Sequence, residues 1–152
     1  MYRVEETPEL FARQLGIKPG SAVAALNAPQ GFVTALTQGL PPGAGIAVGR
    51  AISPEGATVV LLWPRNMHEL LNIVAKSLKD GSSPFSALWV VIPKKPVAQR
   101  TGSDLFFQEV LARVLPTGLV DNKTLTFSEE EYGIRFVPRR RKEEKQRDGG
   151  TK

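Results

Sequence analysis

"ATVVLLWPRNMHELLNIVAKSLKDGSSPFSALWVVIP", residues 57–93, places two apolar runs on either side of an amphipathic segment. "ATVVLLWP" and "SALWVVIP" are strand-length, continuously apolar and stopped by proline, the pattern of strands buried on both faces of a parallel sheet. Between them, Met67, Leu70, Leu71, Val74 and Leu78 recur at helical spacing, with Asn66 as N-cap, Glu69 three residues on and Gly81 past the end. Strand, helix and strand in this order form a right-handed crossover, which makes the fold class α/β.

Outward from this unit the alternation continues. On the amino-terminal side, "TPELFARQLG" predicts a small helix with Thr7 as cap, Pro8 in its first turn and an apolar stripe of Leu10, Phe11 and Leu15. "SAVAAL" then reads as a buried strand, "QGFVTALTQG" as a modest helix, and Ile46 to Ala51 as a short strand inside a Gly- and Pro-rich loop. On the carboxyl-terminal side, "TGSDLFFQEVLARVLPTG" predicts a helix opened by a capping box from Thr101 to Asp104, with Phe106, Phe107, Val110, Leu111 and Val114 on its core face. Two last strands, about 119–127 and 132–138, are joined by an acidic turn too short for a crossover, so they pair antiparallel. The expectation is a single Rossmann-like, three-layer α/β domain over residues 1–138, mostly parallel with a closing antiparallel hairpin, followed by a tail over 139–152.

The charge belongs to that tail. "RRRKEEKQRDGGTK" holds seven basic and three acidic residues, +4 of the chain's formal +5, so the body is close to neutral and has no basic face built into it. Arg139, Arg140, Arg141 and Lys142 could contact nucleic acid, but Glu143, Glu144 and Asp148 interrupt the run and no aromatic residue is interleaved for stacking. A disordered solubilising tail is the reading preferred. Cysteine is absent and His68 is the only histidine, which excludes disulfide frameworks, Cys/His metal sites and thiol nucleophiles. The acidic start "MYRVEETPEL" is no secretory signal, and no apolar stretch approaches the roughly 20 residues of a membrane span, so a cytoplasmic protein is expected.

The succession from "ATVVLLWP" to "YGIRFVPR", with its closing hairpin, resembles the second half of a class I S-adenosylmethionine-dependent methyltransferase. More closely, "LGIKPGSAVAALNAPQGF", "LLWPRN", "LWVVIPKK" and "GLVDNKTLTFSEEEYGIRFV" resemble the bacterial proteins grouped as domain-of-unknown-function family 3052, over roughly residues 14–138. This second resemblance speaks for a fold and implies no activity. The methyltransferase resemblance implies an acidic residue and a glycine-rich turn after the first strand. Here "AALNAPQGF" has Asn27, Ala28, Pro29 and Gln30 instead, Pro29 also removes an amide donor, and Arg50 stands near the end of the short strand where a ribose-binding carboxylate is implied.

In open α/β sheets ligands lie beyond the carboxyl ends of the strands. Three such ends are readable: Asn27 and Gln30 after the first strand, Arg65 and Asn66 after the third, and Lys94, Lys95, Arg100, Thr101 and Ser103 after the fourth. Cations gather there and, along these loops, no carboxylate precedes Asp104. That is the chemistry of an anion site, in which Arg65 binds bidentately, Lys94, Lys95 and Arg100 add charge, and a helix start near Ser103 offers free amides. Plain solvation of strand ends also accounts for Lys94 and Lys95; the three loops read together favour the pocket. Asn66 reads as a cap, Asp104 as part of its box, His68 as a partly exposed structural residue, and Trp63, Trp89, Phe106 and Phe107 as core. "SEEEY" reads as a solvated turn.

The expected role is non-catalytic and without a cofactor: binding a small anionic metabolite or nucleotide, with Asn27 and Gln30 selecting its uncharged part, or presenting the fold to a protein partner. A divergent methyltransferase is the first alternative, and weak nucleic-acid binding through the tail the second. The hairpin or an edge strand also offers a route to a dimer.

Overall fold

In the computed structural model, which describes residues 2–49, 57–78 and 85–139, the two apolar runs lie side by side in the middle of a six-stranded sheet. Helices α1 (Arg3–Glu6) and α2 (Pro8–Gln14) lead into strand β1 (Ala22–Leu26), helix α3 (Gln30–Gln38) and strand β2 (Gly45–Gly49). Then come β3 (Val59–Leu62), α4 (Met67–Ser77), β4 (Ala87–Pro93), α5 (Lys95–Thr101) and α6 (Phe107–Val114), before a hairpin of β5 (Leu119–Thr126) and β6 (Glu131–Pro138). The strand order is β2-β1-β3-β4-β6-β5; the first four are parallel, and β6 runs antiparallel to both β4 and β5.

Burial follows position. Every residue of β3 is buried, as are those of β4 through Ile92, whereas β2 and β5 at the sheet edges are largely exposed. On one face α4 and α6 pack Leu70, Val74, Val110 and Val114 against Leu62, Leu88, Ile92 and Phe136. On the other, α1, α2 and α3 close over Val23, Leu61, Trp89 and Phe127 with Val4, Phe11, Leu15 and Phe32. Trp89 is fully buried in this layer and donates its indole N–H to the Leu15 carbonyl at 3.0 Å. Gly133 is required by packing: a Cβ there would stand 2.6 Å from Phe127 Cε1 and 3.1 Å from Trp89 Cε3.

The expected helix from Thr101 is replaced by a different arrangement. The lysine-bearing stretch itself coils into α5, and Gly102, in the left-handed region at φ 76°, ends it. Thr101 donates its hydroxyl back to the Val97 carbonyl inside α5, and α6 begins only at Phe107. The capping box does not form because Asp104 Oδ1 accepts the Met67 amide at 3.0 Å, capping α4 from across the sheet end. Asn66 caps the same helix as expected, accepting the Glu69 amide at 2.8 Å. Two further expectations shift: Leu10 is 44 % exposed while Phe11 and Leu15 are buried, and Phe106 and Phe107 are only half-buried. The short strand ends at Gly49; Arg50, Ala51 and Gly81 lie outside the described residues. No helix among the described residues is long and apolar enough to cross a membrane.

Candidate functional site

After β1 the chain turns into α3 and reaches β2 on one side; after β3 it turns into α4 and reaches β4 on the other, with the two helices on opposite faces. The connections therefore diverge between β1 and β3, the position at which α/β sheets open a crevice beyond their strand ends. Asn27 stands in that opening. Its backbone takes φ 61°, the left-handed conformation that glycine adopts freely and asparagine tolerates better than other residues. The turn whose glycines are missing from the sequence is thus made by an asparagine.

The Asn27 side chain bridges the crevice. Its Nδ2 donates to the Trp63 carbonyl and to Glu69 Oε1, both at 3.1 Å. Glu69 also accepts the Arg65 amide at 2.7 Å, and Arg65 Nη2 at 2.8 Å on its other oxygen. The Arg65 guanidinium holds the Glu69 carboxyl below its usual range, helped by the Arg65 amide and Asn27 and opposed by burial. Arg65, expected as a free anion ligand, is paired within its own helix start.

A second carboxylate enters from β6. Glu131, directly opposite Pro93 at the end of β4, accepts the Trp63 indole N–H at 3.4 Å and a hydrogen bond from the Tyr2 hydroxyl. Burial pushes its carboxyl up, against the lowering effect of those two donors. Tyr2 is likewise pushed up, by burial first and by the neighbouring Glu131 next. The Tyr2 ring meets Phe32 edge-on at 5.7 Å, and Phe32 and Phe127 each stand edge-on to Trp63, at 4.9 and 5.8 Å. "SEEEY" is therefore not wholly solvated. The signal was present: Tyr132, Ile134 and Phe136 alternate onto the α4/α6 face, which sends Glu131 and Gly133 to the aromatic one.

The remaining sequence-derived residues are spread along the rim. Gln30 is exposed at the first position of α3. The half-buried Lys94 precedes α5 and gives its amide to the Glu130 carbonyl at 2.8 Å, while exposed Lys95 begins that helix. Arg100 lies 3.5 Å from Glu130 in an exposed ion pair, and Ser103 Oγ accepts the Leu105 amide at 3.1 Å. Asn27 and Arg65 meet on Glu69; Lys94, Lys95, Arg100 and Ser103 share α5 and its flanks. His68 is exposed beside Asn72. Arg139 extends the hairpin through its amide to the Gly118 carbonyl, and Arg140, Arg141 and Lys142 lie outside the described residues. Among the described residues no group of three or more His, Cys, Asp or Glu side chains could hold a metal.

No family model matches the chain, so the finer resemblance to family 3052 has none behind it, and no curated protein matches either. Solved structures do. An S-adenosylmethionine-dependent methyltransferase from Aquifex aeolicus superposes with a TM-score of 0.60 at 14 % identity, over 87 % of this chain and 89 % of that one. The fibrillarin of Aeropyrum pernix, solved with natively bound S-adenosyl-L-methionine, gives 0.55 at 14 % identity, over 87 % and 74 %. The pyocyanin biosynthetic protein PhzM gives 0.64 at 10 % identity over 86 % of this chain, which spans only 54 % of PhzM. At these identities the likeness is one of fold: a single α/β domain of the class I methyltransferase type, in truncated form.

Proposed function

We propose that this chain is a divergent S-adenosylmethionine-dependent methyltransferase that takes an adenosyl compound in the crevice between the ends of β1 and β3. The observation that carries the reading is Asn27: at φ 61° it makes the tight turn at the divergence of α3 and α4 without the glycine whose loss counted against such a ligand. The amides of Gln30 and Gly31 open the nine-residue α3, a helix start suited to a carboxylate, and Gly31 brings no Cβ to obstruct an approach. Glu69, kept ionised, accepts hydrogen bonds of the kind that hydroxyl or ammonium groups donate. When bound, S-adenosylmethionine supplies an electrophilic methyl group. The methyltransferases that share the fold support the choice of ligand.

The second reading, non-catalytic binding of a small anion by Lys94, Lys95, Arg100 and Ser103 or presentation of the fold to a protein partner, is favoured by the same side chain in its other capacity. Asn27 fills the crevice by bonding Trp63 and Glu69 directly, so an adenosyl ligand has to displace those bonds. Thermal unfolding of the full chain with S-adenosylmethionine, S-adenosylhomocysteine, AMP and inorganic phosphate separates the readings. A ligand present at about 100 times its dissociation constant adds ~2.7 kcal/mol to apparent stability. Saturable stabilisation by the two adenosyl sulfur compounds, lost in Gly31→Pro, supports the first. Stabilisation by phosphate or AMP alone, lost in Lys94→Ala/Lys95→Ala, supports the second. No shift with any of them refutes both ligands and leaves the protein-partner role.

A further inference from the structure

On the opposite face of the same rim, a groove of about 350 Å3 opens between the end of β4, the start of α6 and β6. Three aromatic side chains line it: Phe106, Phe107 and Tyr132, the last two with ring centroids 6.2 Å apart and tilted by 36°. All three are half-buried, although the first two were expected in the core. Phe106 is the N-cap of α6 and Phe107 its first residue, and Phe107 also packs against the edge of the α4/α6 core. Tyr132 and Lys95 both line the groove, and the side-chain polar group of neither has a hydrogen-bond or ion-pair partner among the described residues. Burial pushes the Tyr132 phenol up, so it stays a donor across the physiological range. Glu109, also in the lining, sets a limit on charge.

We infer that this groove binds a small planar aromatic monocarboxylate, its ring against Phe106, Phe107 and Tyr132 and its carboxylate taken by Lys95 and the Tyr132 hydroxyl. The volume lies at the low end of the roughly 300–1,000 Å3 of small-molecule pockets, which suits one or two fused rings. Aromatic faces accept stacked or edge-on rings, the lysine provides a point charge for the acid, and a Glu109 carboxylate repels a second acidic group. None of these residues belongs to the Asn27–Glu69 crevice, so the inference stands apart from the adenosyl reading.

The test is an amide-resonance titration of the full chain with 2-naphthoate. The expected result is saturable shifts confined to residues 93–95, 106–109 and 132. Lys95→Ala should weaken binding roughly fivefold, the scale of one exposed ion pair. Tyr132→Phe, which keeps the ring, should weaken it about threefold, as for one partly exposed hydrogen bond. Neutral 2-naphthalenemethanol and 2,6-naphthalenedicarboxylate should both bind more weakly than 2-naphthoate, the dicarboxylate recovering in Glu109→Gln. Equal or tighter binding of 2-naphthylmethylamine, unchanged affinity in Lys95→Ala, or shifts centred elsewhere would overturn the inference. Displacement by S-adenosylhomocysteine would assign the shifts to the crevice and overturn the separate site; failure of that compound to bind at all leaves the naphthoate result intact.

Discussion

Substituting Asn27 by Gly and by Ala separates its backbone role from its side-chain role. Either change removes two hydrogen bonds, one to the neutral Trp63 carbonyl and one to the ionised Glu69. A neutral bond is worth about 1 kcal/mol and a charged one about 1.5, and partial exposure brings the pair to roughly 2 kcal/mol. Glycine keeps φ 61° without strain, whereas alanine adds about 1–2 kcal/mol for the left-handed conformation, less the ~0.5–1 kcal/mol by which it lowers unfolded-chain entropy. Asn27→Gly should therefore cost about 2 kcal/mol and Asn27→Ala about 3, the reverse of the usual Ala over Gly order. Urea unfolding of both variants resolves this gap, which corresponds to about 2–4 °C in Tm for a chain of this size. An alanine variant clearly more stable than the glycine one, the usual order, would refute the left-handed turn and with it the compensation for the lost glycine. Asn27→Asp provides the electrostatic control: a carboxylate beside Glu69 should be worst at neutral pH and recover on acidification.

Four other outcomes follow from the same geometry. Because the folded-state pKa of Glu131 is raised, the native state binds that proton more tightly than the unfolded chain, and stability falls as pH climbs from the ordinary carboxylate value through the raised one. Glu131→Gln should remove that fall and gain on wild type at pH 7 relative to pH 4; urea midpoints across this range decide it, and a constant difference sinks the idea. Glu69 has the opposite sign, contributing above its unfolded pKa and losing that contribution as pH drops, so Glu69→Gln should hurt most at neutral pH. Gly133→Ala forces a methyl to 2.6 Å from Phe127 Cε1, an overpacking of about 1–3 kcal/mol, measurable by denaturation; a neutral result would mean the aromatic layer yields. Asp104→Ala should cost about 0.5–2 kcal/mol through loss of the Met67 cap, and an unchanged unfolding curve would show the contact to be idle.

The central strands were legible because burial on both faces leaves no polar interruption, so "ATVVLLWP" and "SALWVVIP" carry their environment in composition alone. α5 was not. Its only buried residue is Ala98, so "KPVAQRT" has no apolar stripe to read, although Pro96 in its first turn was a usable start signal. Thr101 and Asp104 match a capping box by spacing, yet Gly102 stops one helix between them and Asp104 is drawn to the amide of another. The strand ends were legible as cationic loops, and their acids were not, since they come from elsewhere: Glu69 from the next helix turn, Glu130 and Glu131 from the hairpin. The left-handed turn at Asn27 was not legible either, because a missing glycine in the sequence does not exclude such a turn in the chain.

Trp63 ties the two carboxylates of the rim together. Its carbonyl accepts from Asn27, which also holds Glu69; its indole donates to Glu131, which also holds Tyr2. The Arg65 guanidinium lowers one carboxyl and burial raises the other, so the two acids are shifted in opposite directions within one hydrogen-bonded series. A ligand that enters between β1 and β3 has to break the Asn27 bonds, and in doing so it frees the Trp63 carbonyl, whereas both oxygens of Glu69 keep their Arg65 donors. Trp63 is then the natural reporter: in Trp89→Phe, where it is the only indole, its emission should shift on adenosyl binding and remain still when naphthoate fills the groove on the opposite face. A response to both ligands would mean that the two faces of the rim are coupled through β6, whose Glu131 and Tyr132 point to opposite sides of the sheet.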